Sequence, residues 1–211
     1  MAQQGLTSPV DVAAWAKQTV KDEYQAALQS AIDAAGSMLE TLTNRVLIRA
    51  TKTVYFDGKR ALGNSDELWL DPGHRPVLHT GSDLVTVSVN GSSLTVAASY
   101  STTAGVMLVG ANEDSPCRLI RQFGPWTTGI RNIVVSYKCG FQTDPALTAT
   151  DTFPVPSNIK QLANEMSWLV FNSASLLGKQ NVSHAVAAVT LSNELSPYGK
   201  AVLEAITVLA A

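Results

Sequence analysis

The hydrophobic repeat changes period once between Ile133 and Phe171, and that change limits what this chain can become. Ile133, Val135 and Tyr137 recur every second residue, as on the inward face of a strand. After Cys139-Gly140-Phe141 comes a loop rich in Asp, Thr and Pro, and Pro156-Ser157-Asn158 then opens a different pattern. Ile159, Leu162, Ala163, Met166, Leu169 and Val170 fall at spacings of three and four, the stripe of an amphipathic helix. A β part is therefore joined to a helical part through an aromatic-glycine corner.

The same two periods organise the rest. Ser8-Pro9-Val10-Asp11 supplies a capping hydroxyl, a proline at the first helical position and an acid three residues after the cap. This predicts a short helix to about Thr19, anchored by Trp15. A second helix is predicted from Asp22 to Asn44, with Tyr24, Leu28, Ile32, Ala35, Leu39 and Leu42 on one face. Short strands follow around Val54 to Phe56, Leu68 to Leu70, Val85 to Val89, Gly105 to Val109 and Cys117 to Arg121. Asp57-Gly58 reads as a turn, and Asn90-Gly91 as a tight hairpin. Ser196-Pro197 caps a last helix, and residues 173–193 carry little pattern. The expected fold is α+β. N- and C-terminal helices (1–48 and 155–211) form a small bundle, and residues 49–154 form an inserted antiparallel β-sandwich or partly open barrel.

With 211 residues and 45% hydrophobic content the chain can bury an ordinary core. Its formal net charge of −2, from 15 Lys+Arg against 17 Asp+Glu, gives no basic stripe, which argues against tight nucleic-acid binding. Charged residues make up 15%, below the roughly 25% usual for soluble domains, which fits either an ordinary low-charge surface or one that packs against neighbours. No signal-peptide pattern follows Met1, and the longest apolar runs, such as Ala185–Val189, are too short to span a bilayer. No membrane association is expected.

Catalytic equipment is missing from the pattern. His74 lies in a Pro-Gly-His-Arg-Pro turn and is expected at the surface; His79 and His184 have no ligand spacing around them. There is no GxSxG elbow, no Walker or dinucleotide glycine loop, and no CxxC. Cys117 and Cys139 read as reduced core thiols. No enzyme activity, metal or cofactor is expected. What remains is Trp168. It points about 180° from Ile159, among Gln161, Glu165 and Asn172 on the polar side of its helix, so either another part of this chain or a neighbouring subunit must cover it.

The order of these features resembles the head–tail connector (adaptor, or head-completion) proteins of long-tailed bacteriophages. The likeness is carried by Leu42-Thr43-Asn44-Arg45 ending the second helix, Val54 to Asp57, Leu68-Trp69-Leu70-Asp71-Pro72 with Pro76-Val77, and the strand end at Tyr100. It continues through Pro125-Trp126, Val134-Val135-Ser136-Tyr137 with Gly140-Phe141, and Val155-Pro156 leading to Ile159-Lys160. It departs at Cys139, where a small alanine is usual, and beyond Asn172.

The resemblance implies a structural protein in the virion neck, assembled in the host cytoplasm. It would form a ring, twelve-fold, between the portal protein and the tail or a stopper protein, and double-stranded DNA would pass through it without sequence-specific contact. Such a ring needs two different complementary patches on each subunit. Trp168, Gln161, Glu165 and Asn172 become candidates for the subunit interface. Tyr198, Val202, Leu203, Ile206 and Leu209 become candidates for contact with the portal. Two other readings stay open: a stopper one level below, or a glycan-binding module using Trp69, Tyr100 and Trp126.

Overall fold

A computed structural model of the chain describes residues 5–58, 67–79, 84–103, 105–141, 154–177 and 194–207. These divide into two compact units. One gathers the described residues up to Ile48 with Phe141 and those from Pro154 onward; the other gathers the described residues from Arg49 to Gly140. The chain therefore leaves the first unit between Ile48 and Arg49 and returns between Gly140 and Phe141.

The first unit is helical: α1 (Pro9–Ala16), α2 (Gln25–Thr43), α3 (Ser157–Leu177) and α4 (Pro197–Ile206). Ser8 caps α1 as its sequence predicts, accepting the Asp11 N–H. The helix stops earlier than expected, because Lys17 turns into the left-handed region (φ 53°) and its N–H closes back on the last turn. Residues Asp22–Tyr24 form a 3₁₀ turn before α2. That is why Tyr24, expected on the apolar stripe, is half exposed: the α-helical register begins only after it.

From Leu28 onward the stripe behaves as expected, with Leu28, Ile32, Ala35 and Leu39 buried. Asn44 ends α2 in the left-handed conformation (φ 50°). The Glu40 carboxylate then accepts the N–H groups of Leu47 and Ile48, while the guanidinium of Arg45, buried, sits over the Phe141 ring at 6.0 Å. The Leu42-Thr43-Asn44-Arg45 motif thus has a physical content. It turns the chain and places a buried cation under an aromatic face.

Helix α3 packs against α1, α2 and α4. Being central, it is buried on more sides than an amphipathic surface helix, and Leu162 to Ser167 are buried without interruption. The weakly patterned stretch after Asn172 begins as helix, since α3 runs on to Leu177; residues 178–193 lie outside the described residues.

The second unit holds two open sheets. The first is ordered β1 (Ala50–Gly58), β9 (Gly129–Cys139), β4 (Thr86–Val89), β5 (Ser92–Leu94), with β3 (Val77–Leu78) also on β9. Strand β1 runs antiparallel along β9 from Ala50↔Cys139 to Phe56↔Ile133, while β4 and β3 pair with successive parts of β9, at 133–136 and 138–139. The second sheet is ordered β2 (Glu67–Trp69), β8 (Arg118–Arg121), β7 (Val106–Val109), β6 (Val96–Ala97), with β6 parallel to β7. The class is α+β, and neither sheet closes into a barrel.

Ile133, Val135 and Tyr137 line the buried face of β9, as their alternation requires. Asn90 (φ 50°) and Gly91 (φ 80°) make the tight hairpin between β4 and β5, where both central residues need positive φ. Asp57-Gly58 is not a free turn. The pair continues β1 through a register shift against β9, because Asp57 and Gly58 both bond residues at the start of that strand.

Candidate assembly site

The residues singled out on α3 divide into two groups. Gln161 and Asn172 are exposed, in keeping with a wet face. Trp168 is half-buried and packs on Val12 of α1 and Leu28 and Ile32 of α2, with Val20 and Phe171 beside it. Its ring stacks on Phe171, centroids 5.7 Å apart and planes 30° from parallel. Of the two covers open to Trp168, the helical unit itself supplies one.

Glu165 departs further from its expected place on a polar face, for it is buried. One carboxylate oxygen accepts the backbone N–H of Ser196, and the other accepts the Ser196 hydroxyl at 3.0 Å. That hydroxyl oxygen in turn accepts the Gly199 N–H at 3.1 Å, so Ser196 caps α4 while being held by α3. A carboxylate at a helix N-terminus also faces the positive end of the helix dipole. Charge on this side of α3 thus meets a partner 31 residues away rather than water.

The α4 stripe is likewise divided. Val202 and Ile206 are buried in the helical unit, Leu203 is half-buried, and Tyr198 is exposed. Leu209 lies outside the described residues. Of this set, Tyr198 is the large side chain most available to another molecule.

Two further ties hold the helices. The Thr7 hydroxyl donates to the side-chain oxygen of Asn164, both buried, which fixes the segment before α1 onto α3. Lys160 of α3 bridges Asp11 of α1 at 3.0 Å. Burial would raise the Asp11 pKa, but the Ser8 hydroxyl and Lys160 outweigh it and hold the carboxyl below its ordinary value.

In the β unit, His74 is half-buried rather than free at the surface. Its Nδ1 lies 2.7 Å from the Tyr137 hydroxyl. Burial lowers the His74 pKa, with Lys52 adding to the shift and Asp71 opposing it; burial first, then neighbouring Cys139, Asp71 and Cys117, raises that of Tyr137. This pair was missed in the sequence because 63 residues separate its members.

Cys117 and Cys139 are both buried free thiols, and burial pushes Cys117 up to about 11. Cys139 lies on β9 opposite Ala50 and Val77 and is fully buried. His79 accepts the Val85 N–H, and His184 lies outside the described residues. Among the described residues no three His, Cys, Asp or Glu side chains group to hold a metal, and no helix is long and apolar enough to cross a membrane. Of the three aromatics suggested as a glycan platform, Trp126 is buried while Trp69 and Tyr100 are exposed.

Neither a protein-family model nor a curated protein matches the chain. Solved structures do. A chain from the "Neck of empty GTA particle computed with C6 symmetry" superposes with a TM-score of 0.54 at 16% identity, covering 100% of this chain and 94% of that one. One from the "Virion of native gene transfer agent (GTA) particle" gives 0.54 at 17%, covering 95% and 90%. One from the "Neck of native GTA particle computed with C12 symmetry" gives 0.53 at 18%, covering 95% and 89%. At these identities the likeness establishes a shared fold over nearly the whole chain, and it agrees with the resemblance read from the sequence.

Proposed function

We propose that this chain is a non-enzymatic structural protein of a particle neck, a head–tail connector that forms a ring between the portal vertex and the tail or the next connector. The observation that carries this reading is the fold shared over nearly its full length with chains from the necks of gene transfer agent particles, one of them computed with twelve-fold symmetry. Twelve copies related by rotation would bury two unlike faces of each subunit and extend the channel through which double-stranded DNA leaves the head. A near-neutral chain supports this, because a strongly basic lining would retain phosphates. The portal protein is the partner above, and the exposed Tyr198 at the start of α4 is the proposed contact to it.

The test is imaging of particles that carry the chain. Density for a ring of this fold at the portal vertex is expected. Particles whose neck lacks the chain would sink the assignment, and density one level lower would make it a stopper.

A further inference from the structure

Ile130 is the most exposed of the large apolar side chains among the described residues, at 86%, and hydrogen bonds brace the backbone just after it. It lies at the start of β9, followed by Arg131 in the left-handed region (φ 49°), a conformation that a long side chain rarely adopts. Three side-chain bonds fix this corner. Asp57 accepts the Arg131 N–H at 2.7 Å, Asn132 accepts the Gly58 N–H at 2.8 Å, and the Asn132 amide donates to the Thr127 carbonyl at 2.8 Å.

The Arg131 guanidinium lies over the exposed ring of Tyr55 at 4.6 Å, and among the described residues no carboxylate comes within ion-pairing distance of it. The result is a braced knuckle made of an apolar tip, an aromatic face and a guanidinium without an ion pair among the described residues, with the Asp57 carboxylate on its backbone side. Exposed apolar and Arg side chains carried on a braced backbone suit protein contacts, because the segment that bears them has little conformational entropy left to lose on binding.

The helical unit carries the complementary chemistry. Asp22, Glu23 and Tyr24 form the 3₁₀ turn before α2, and all three are exposed. Lys21 reaches Glu23 only at 3.9 Å, with both side chains mostly in water, so the turn keeps its acidic character. We infer that the Tyr55–Ile130–Arg131 knuckle of one copy docks on the Asp22–Tyr24 turn of the next. Ile130 would lie against the Tyr24 ring, and Arg131 would face the two carboxylates. The contact joins two unlike patches, the head-to-tail kind that closes a ring. It rests on the connector reading and specifies which surfaces meet.

The experiment places one cysteine on each side of the contact, Ile130→Cys and Tyr24→Cys in the same full-length chain. Particles carrying it are treated with a short bis-maleimide. Cys117 and Cys139 are buried, so the added thiols are the ones that react. A ladder of linked multimers is expected from the double variant and none from either single variant.

Charge reversal supplies the second arm. Arg131→Glu should reduce ring formation at least tenfold while lowering the melting temperature by only about a few degrees, and adding Asp22→Lys with Glu23→Lys should restore the rings without restoring the melting temperature. Rings that form without a ladder, and survive Arg131→Glu, would overturn the contact while leaving the connector reading intact. Particles with no ring of this chain would overturn both.

Discussion

Glu165 of α3 and Ser196 at the head of α4 are locked together twice, through the serine backbone N–H and through its hydroxyl. The clamp leaves no room beside it. A Cβ built on Gly199 would lie 2.6 Å from the second carboxylate oxygen of Glu165. Replacing a helical glycine by alanine ordinarily stabilises by about 1 kcal/mol. Here the sign reverses, because the carboxylate is held on both oxygens and cannot move aside without losing its bonds.

Gly199→Ala is therefore expected to destabilise by about 1–3 kcal/mol. Thermal melts would register it, and hydrogen exchange would localise it to the amides of α4. A stabilised variant would show that the clamp yields.

Trp168→Ala separates an anchor of this chain from an anchor between chains. Trp168 packs on Val12, Leu28, Ile32 and Phe171, so its removal should cost about 3 kcal/mol in the isolated protein. Chemical denaturation of the monomer measures this directly. An unchanged monomer with failed assembly would instead assign the ring to a neighbouring subunit.

The His74–Tyr137 pair predicts a pH dependence. Burial holds the folded-state pKa of His74 below its unfolded value of 6.5, so protonation favours the unfolded chain. This contribution to stability is complete above pH 6.5 and is lost as pH falls through the lower folded value. His74→Gln should reduce the slope of stability against pH across that window, as read by urea midpoints at pH 7.5, 6.5 and 5.5, leaving the part that the likewise lowered His79 contributes. Asp71, which opposes the shift, bounds its size.

Gly58 tests the bulge that sets the knuckle. A Cβ there would lie 1.7 Å from the Thr127 carbonyl oxygen, a backbone atom that cannot swing away. Gly58→Ala is expected to cost about 3 kcal/mol or more and to shift the amide resonances of residues 127–132. A variant as stable as the parent would mean that β1 can end elsewhere.

How far the sequence revealed this structure depended on the range of the interaction. Ser8-Pro9, Asn90-Gly91 and Ser196-Pro197 each specify a cap or turn through neighbours a few residues away, and each is found where its chemistry puts it. The alternation along β9 and the stripe of α2 were equally plain, because burial follows the repeat.

Periodicity puts Glu165 on a wet face because it cannot register a partner 31 residues distant. The spacing puts Tyr24 on the α2 stripe because nothing local distinguishes a 3₁₀ turn from the first turn of a helix. Strand β3, two residues long after Pro76, and the parallel pairing of β6 with β7 leave almost no periodic trace. On α3, the aromatic that breaks the helical pattern is visible at once in the sequence, while the packing that accounts for it is not.

The pairing of β1 with β9 also sets a timetable for synthesis. Ala50 and Cys139 are 89 residues apart, yet they lie opposite one another at the end of the longest ladder in the β unit. A ribosome adding about 5–20 residues per second exposes β1 for on the order of ten seconds before its partner exists. During that interval nine residues of strand offer unpaired backbone on both edges, to one another on neighbouring polysomes as readily as to β9. Yield of the folded chain should therefore depend on elongation speed and on chaperone capacity more than on final stability, which places the weak point of this protein in its making.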